Sequence, residues 1–397
     1  MFRRAPFTDA DPRPIVCLSA NTTWYVVNFR SRLIESLIDQ GWRVVVLSPP
    51  DRHVERLAAL GAEHVPLTLD NAGTNPLREL GTLWRIRAAL SQIGPSVVLT
   101  FTPKINIYLS LVARTLGVPV IANISGLGRA FVSGGWIEKV SRALYGVALR
   151  WPSTVFFQNE EDRAIFIEAG LVDAARTHRL PGSGVDVDRF SPRPKPQAGP
   201  FQFLLVARLL WDKGVGEFVQ AARIVKARHP NVEFALAGFL DVDNPSAVPR
   251  SAVEEWEREG VIRFLGSFDD MVPVYAQADC VVLPSYYREG VPRSLLEAAS
   301  MGKPVITTDS VGCRDTVEDG VTGWLVKPRD AKDLAAAMAS LLALDSIGLE
   351  KKATAARARI ERDFDEKLVI DSYHLSLRSV SDQPAVPFKP SWRATSS

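Results

Sequence analysis

A chain of 397 residues is long enough for two or three domains, and with 46% apolar and 23% charged residues it should fold around a sizeable core. A net charge of +2 gives no reason to expect nucleic acid as a partner. No apolar run reaches the roughly 18 residues of a membrane span, and MFRRAPFTDADPRP at the start has no apolar export segment, so a cytosolic chain is expected, with contact at a membrane surface left open. Up to residue 190 there are 21 basic and 17 acidic residues, and beyond it 26 and 28. That asymmetry matters only if the first part meets an acidic surface.

Strands and helices alternate from the start. Residues 14–19 (PIVCLS) read as a strand whose loop, 20–27, leads into a helix over 28–40, followed by a strand at 44–47 and a helix at 52–60. After a strand at 65–67 come an amphipathic helix near 77–93, a strand at 97–101, a helix at 105–116 and a strand at 118–124. Residues 136–151 (WIEKVSRALYGVALRW) read as a helix, then a strand at 155–158 and its helix at 160–169. Glu138, Lys139, Arg142 and Arg150 make 136–151 predominantly basic, with a tryptophan at each end. Such a helix can lie in a membrane interface, although an ordinary helix packed on the sheet is the favoured reading.

Residues 190–200 (FSPRPKPQAGP) read as an extended, proline-rich linker. Beyond it the alternation restarts, with strands at 203–207, 232–237, 261–265, 280–283, 305–308 and 324–326 and helices at 215–228, 252–259, 270–277 and 331–344. The expected organisation is a first domain over 1–190, a linker at 191–200, a second domain over 201–365, a helix at 366–380 returning to the first domain and a disordered tail at 381–397. The order implies an α/β fold of two doubly wound, Rossmann-like parallel-sheet domains with a cleft at their facing strand ends. Cys17, Cys280 and Cys313 show no metal-ligand spacing and suit a reducing compartment.

Two stretches of the second domain can carry chemistry. Residues 284–304 (PSYYREGVPRSLLEAASMGKP) read as the end of a buried strand, a loop, a helix opened by Pro292 and a stop at Gly302. The open end of such a helix suits a phosphate. Glu289 precedes that end and Glu297 lies about one turn inside it, so a ligand with a diphosphate could place a hydroxylated group against each carboxylate. Glu289 as a helix cap and Glu297 as a surface ion-pair residue explain these two equally well. In residues 206–215 (VARLLWDKGV) the second strand–loop–helix places Arg208 at a strand end and Lys213 beside Gly214, two cations able to hold a diphosphate and stabilise it as a leaving group.

Together, AR at a strand end, KG five residues on, and EGVP…LLEA with Glu289 and Glu297 eight apart resemble the family 4 retaining glycosyltransferases of GT-B fold. GVDVDRF at 184–190 and DGVTGWLV at 319–326 also fit that family, and the likeness runs from residue 14 to about 377. It is strongest to bacterial enzymes of capsule, exopolysaccharide and N-glycan assembly, which extend lipid-diphosphate-linked sugars, and SGLG at 125–128 is similar to their TGLG loop.

The resemblance implies roles. Arg208 and Lys213 would hold the diphosphate of a nucleotide-sugar donor, most often a UDP-sugar, helped by backbone N–H groups after Gly290 along Val291, Pro292, Arg293, Ser294 and Leu295. Glu289 would bind the sugar hydroxyls, making Arg208, Lys213 and Glu289 the expected catalytic set, and Glu297 would bind the ribose. Phe264 and Gly266 would border the base. Asn28, Arg30, Lys104, Asn123, Gly126, Gly128 and Arg129 would face the acceptor, a polyprenyl-diphosphate-linked saccharide at the inner face of the cytoplasmic membrane. Where such enzymes often place a His in the loop after the fourth strand this chain has Pro103 and Lys104, so no acceptor-side residue takes a firm catalytic role. The family mechanism needs no metal and no cofactor: the acceptor hydroxyl attacks the front face and a β-phosphate oxygen takes its proton.

Three other patterns carry no function. Asp186–Val187–Asp188 and Asp241–Val242–Asp243 match a metal-binding DxD, a short pattern expected by chance among 45 acidic residues. Gly126 and Gly128 follow a strand, but the third glycine of a dinucleotide fingerprint would fall at Phe131. The five histidines are scattered without ligand spacing. The alternatives are a transferase with a soluble acceptor, a nucleotide-sugar epimerase or hydrolase on the same fold, and an inactive saccharide-binding subunit.

Overall fold

The structure of the protein, a computed structural model, describes residues 11–70, 76–127, 135–196 and 199–380. It divides into two compact units, one of the residues up to Leu180 together with those from Ile370 onward, the other Pro181–Val369. The expected tail at 381–397 lies outside the described residues.

The first unit is built on a seven-stranded sheet of order β3-β2-β1-β4-β5-β6-β7, parallel throughout. Its strands are β1 (Ile15–Ser19), β2 (Arg43–Ser48), β3 (Glu63–Pro66), β4 (Val97–Thr100), β5 (Val120–Ile124), β6 (Thr154–Phe157) and β7 (Thr177–Arg179). The helices are α1 (Thr23–Asp39), α2 (Val54–Ala59), α3 (Pro76–Ile93), α4 (Pro103–Thr115), α5 (Gly135–Ala148) and α6 (Glu160–Glu168). The central strands are apolar runs because helices cover both faces. Ile86 and Leu90 of α3, Leu109 and Val112 of α4, and Tyr145 and Ala148 of α5 share one core with Val98, Ala122 and Phe157 of the sheet.

Helix α1 begins well before the expected start at residue 28. Thr22, in extended backbone, accepts the Tyr25 N–H on its side chain at 3.1 Å, and Thr23, Val26 and Val27 are buried. A side-chain cap and burial outweigh the low helix propensity of the β-branched residues there. Strand β7 was not anticipated, since three residues are too few to show an alternating pattern.

The second unit has a six-stranded sheet of order β10-β9-β8-β11-β12-β13, again parallel. Its strands are β8 (Gln202–Val206), β9 (Glu233–Ala237), β10 (Arg263–Gly266), β11 (Cys280–Leu283), β12 (Val305–Thr308) and β13 (Gly323–Val326). Its helices are α7 (Val215–Lys226), α8 (Arg250–Arg258), α9 (Val272–Gln277), α10 (Arg293–Ser300), α11 (Ala331–Leu342) and α12 (Ser346–Asp363). Phe203 and Leu205 of β8 point into one core with Phe218 and Leu334, while Leu204 points into the other with Tyr275 and Leu295. This is the period-two alternation of a strand covered on both faces.

Residues 181–190 pack with the second unit, ten residues before the boundary expected from the linker. Val185, Val187 and Phe190 lie in the same core as Leu295, Leu296 and Ile360, and Val185 bridges to Asp365 in parallel. A last helix, α13 (Glu366–Val380), starts in the second unit and continues into the first, where Tyr373 and Leu377 are buried.

Candidate functional site

In an open parallel sheet, ligands sit beyond the carboxyl ends of the strands where the strand order reverses. In the second unit that point lies between β8 and β11. The loop after β8 carries Arg208 and, in a short 3-10 turn, Lys213. The loop after β11 carries Glu289 and leads to α10.

Glycines bring these loops together. Gly214 has φ of 76°, and a Cβ there would lie 2.1 Å from the Pro284 carbonyl oxygen, so only a glycine lets the Lys213 turn settle against the end of β11. The carbonyl of Asp212 then accepts the backbone N–H groups of Tyr286 and Tyr287 at 3.1 and 3.2 Å. From the other side, Gly312, in the loop after β12, has φ of 81° and presses on the backbone of Gly290 so closely that a Cβ would clash with its carbonyl oxygen.

The result is a direct ion pair: Lys213 Nζ lies 2.5 Å from Glu289 Oε2, both side chains largely shielded from solvent. Arg208 is exposed and forms no ion pair among the described residues. The start of α10 has Pro292 as the residue before its first turn, with no side chain capping the helix. The Leu295 N–H in that first turn reaches the Pro292 carbonyl at 3.2 Å, and the helix start presents the positive end of its dipole. Helix α10 begins at Arg293, one residue later than expected for a helix opened by Pro292.

Glu297 is held more firmly than a surface residue. Arg293 Nε donates to Glu297 Oε1 at 2.9 Å, and the Tyr275 hydroxyl donates to Oε2 at 2.9 Å. Burial pushes the Glu297 carboxyl upward, while the Arg293 charge and both hydrogen bonds pull it back. Burial, then the neighbouring Glu297 carboxylate, holds Tyr275 well above the usual phenol range. Tyr275, on α9, was not anticipated; nothing in the local sequence of α9 marks it, and only strand order brings it to Glu297.

Among the other expected donor residues, Gly290, Val291 and Leu295 are buried, so their side chains are not open to a ligand, and Ser294 lies in the first turn of α10. Phe264 and Gly266 sit on the edge strand β10, and the Gly266 carbonyl accepts the Gly238 N–H at 2.8 Å at the end of β9.

The DxD matches have other occupations. Asp186 Oδ1 accepts the N–H groups of Asp188 and Arg189 at 3.1 and 2.9 Å in a tight turn, and Asp241 pairs with Arg250. Among the described residues no three His, Cys, Asp or Glu side chains gather as metal ligands.

The expected acceptor-side residues of the first unit do not form one surface. Arg30 is 2% exposed, and its Nε and Nη2 have no hydrogen-bond partner. It lies over the rings of Phe101 at 4.6 Å and of Tyr25 and Tyr373 at 6.0 Å, so aromatic faces stand where a counter-ion is usual. Asn123 joins this cluster, donating from Nδ2 to the Tyr373 hydroxyl at 2.8 Å. Lys104 is elsewhere, its Nζ 2.6 Å from Glu79 Oε1, where it ties α4 to α3. Asn28 donates to the Trp24 carbonyl within α1, and Gly126 stands just after β5 with φ of 137°. Gly128 and Arg129 lie outside the described residues.

Against this geometry, comparison with known proteins is decisive. Residues 26–183 match the family described as "Glycosyl transferase 4-like domain" and residues 200–344 the family described as "Glycosyl transferases group 1". The chain belongs to the family 4 glycosyltransferases of GT-B fold. The N,N'-diacetylbacillosaminyl-diphospho-undecaprenol alpha-1,3-N-acetylgalactosaminyltransferase of Campylobacter jejuni is 27% identical over 365 residues, covering 88% of this chain and 94% of its own. The putative colanic acid biosynthesis glycosyltransferase WcaL of Escherichia coli is 32% identical over 194 residues, 47% of each chain. Anabaena Alr3699/HepE, solved in complex with UDP, superposes with a TM-score of 0.76 over 92% of this chain and 100% of its own at 19% identity, a likeness of fold. As a family 4 member the protein is a glycosyltransferase.

Proposed function

We propose that this glycosyltransferase is a retaining, metal-independent enzyme that moves a sugar from a UDP-sugar to a polyprenyl-diphosphate-linked saccharide at the inner face of the cytoplasmic membrane. The observation that carries the reading is the Lys213–Glu289 pair, at 2.5 Å, on the two loops that also carry Arg208 and lead into the uncapped α10, at the point where the strand order reverses. The lipid-linked acceptor is supported by the Campylobacter relative, whose name states such an acceptor and which aligns over nearly its whole length. UDP is supported by fold neighbours solved with it.

In this reading the donor diphosphate takes Lys213 from Glu289, joining Arg208 and the α10 N–H groups, and Glu289 turns to the sugar hydroxyls. The acceptor oxygen forms its bond to the anomeric carbon as the bond to the β-phosphate breaks on the same face. The acceptor proton passes to a β-phosphate oxygen, and UDP leaves. Fixed cations and a helix pole meet the charge that develops on the diphosphate, an electrostatic contribution that requires no reorganisation at the moment of reaction. Glu297, already held by Arg293 and Tyr275, offers a carboxylate to the ribose.

The test is transfer from UDP-sugars to a detergent-solubilised polyprenyl-diphosphate saccharide. Lys213→Ala and Arg208→Ala each lower kcat roughly 100-fold or more; the unfolding midpoint stays close to wild type for exposed Arg208→Ala, whereas Lys213→Ala also loses some stability by leaving the Glu289 carboxylate unpaired. The product keeps the anomeric configuration of the donor by NMR, and a chelator leaves the rate unchanged. Wild-type turnover in either variant overturns the assignment of that residue, inversion overturns the retaining mechanism, and chelator-sensitive turnover overturns metal independence.

A further inference from the structure

In the first unit, α3, α4 and α5 lie side by side on one face of the sheet, with α4 packed against both neighbours. Their inward residues fill the core; the outward ones are unusual. On α3, Leu80 is 63% and Trp84 68% exposed, four residues apart and so on one stripe. Val140, Leu144 and Val147 of α5, with Trp151 just beyond it, repeat at helical spacing and are all exposed. Water gains nothing from these side chains, and a soluble surface rarely aligns so many apolar groups on adjacent helices.

Apart from Glu79 and Glu138, the charges around them are positive. Arg78, Arg85 and Arg87 lie on the exposed side of α3; Lys139 on α5 and Arg150 beyond it flank the second stripe, and Arg142 is paired with Glu138. The acidic residues of these two helices are engaged: Glu79 accepts from Lys104 Nζ and from the Tyr108 hydroxyl, and Glu138 is bound by Arg142 at 2.8 Å. The Arg114 guanidinium lies over the Trp151 ring, adding another cation beside the apolar stripe. The side chain of Trp136, at the other end of this helix, lies outside the described residues.

We propose that the α3–α5 face docks on an anionic lipid bilayer, with Leu80, Trp84, Val140, Leu144, Val147 and Trp151 entering the interface and the flanking cations meeting lipid phosphates. Apolar side chains on one face ringed by arginine and lysine are the composition of an interfacial helix, and each cation near an anionic leaflet adds attraction that salt screens. Charge decides between a bilayer and a second copy of this chain: a symmetric self-contact would set one positive face against another. The biological purpose of this docking rests on the lipid-linked acceptor proposed above, whereas its chemistry stands on α3 and α5 alone.

The experiment is flotation of the full chain with vesicles of equal parts phosphatidylglycerol and phosphatidylcholine, and with phosphatidylcholine alone. Wild type floats with the anionic vesicles and far less with the neutral ones. Leu144→Glu combined with Val147→Glu reduces the bound fraction roughly tenfold, and Leu80→Ala combined with Trp84→Ala, on the separate helix, reduces it several-fold. Both variants keep the wild-type melting temperature and the stabilisation by UDP, since these side chains carry no core packing. Wild-type flotation in both variants, no flotation of the wild type, or a wild-type dimer that the variants abolish overturns the docking. Transfer in detergent separates the two ideas: flotation without transfer removes the proposed acceptor and leaves the docking, and transfer without flotation does the reverse.

Discussion

At the Lys213–Glu289 pair the chain brings a cation and a carboxylate from two separate crossovers within 2.5 Å, and Gly214 makes the approach possible. Gly214→Ala adds a methyl 2.1 Å from the Pro284 carbonyl at a left-handed φ, so backbone must move. The expected cost is roughly 3 kcal/mol or more, from strain plus displacement. Gly260, in the same unit, has φ of 69° with nothing within 4 Å of a Cβ, so Gly260→Ala costs about 1 kcal/mol, the conformational part alone. Urea midpoints of the two variants measure the difference, and equal losses would show that the contact with Pro284 adds nothing. Lys213, Glu289, Arg208 and Glu297 were legible as residues because their types and spacing follow strand–loop–helix units. Their pairing was not, since Lys213 meets Glu289 and Tyr275 meets Glu297 only through strand order, which no local pattern carries. The burial of Arg30 was not legible for a related reason: the rings of Phe101, Tyr25 and Tyr373 converge on its guanidinium, whose Nη1 also donates to the Phe29 carbonyl at 3.0 Å.

Elements were legible where a period was long and apolar. The parallel strands β1, β2, β4, β8, β11 and β12 announce themselves as buried runs, whereas α12 escaped notice because only Ala356 and Ile360 on it are buried and the rest reads as polar chain. The first residues of α1 escaped because Thr22, Thr23, Val26 and Val27 favour strand locally, and capping and burial reverse that choice. Helix α13 illustrates what an element adds to stability. His374 on it is 2.7 Å from the Ser36 hydroxyl of α1, and burial first, then Arg378, depresses its pKa from the usual value near 6.5 to about 4. Between those values the unfolded chain binds a proton that the folded chain refuses, so stability rises with pH and falls as pH drops from about 6.5 to about 4. After discounting for solvent screening, the loss is on the order of 2 kcal/mol. His374→Gln keeps a polar group toward Ser36 and cannot titrate. Its urea midpoint is expected to fall less than that of the wild type between neutral and mildly acidic pH, and parallel profiles would remove His374 as the cause.

At the scale of the whole chain, each unit buries its own core around its own sheet, and the chain passes between them after Leu180 and again within α13. Units with separate cores unfold as separate cooperative transitions unless a large interface couples them. The proposed donor residues Arg208, Lys213, Glu289, Glu297 and the start of α10 all belong to Pro181–Val369. A nucleotide that binds only the folded form of that unit must stabilise it, by about 2.7 kcal/mol at a concentration 100 times its Kd. Calorimetry with UDP is therefore expected to raise one transition and leave the other in place, with GDP and TDP raising it less. Lys213→Ala shrinks the shift without moving the transition of the first unit. If UDP raises both transitions equally, the nucleotide site is not confined to the second unit; if it raises neither, the Lys213–Glu289 pair is a structural ion pair and the proposed donor site is wrong.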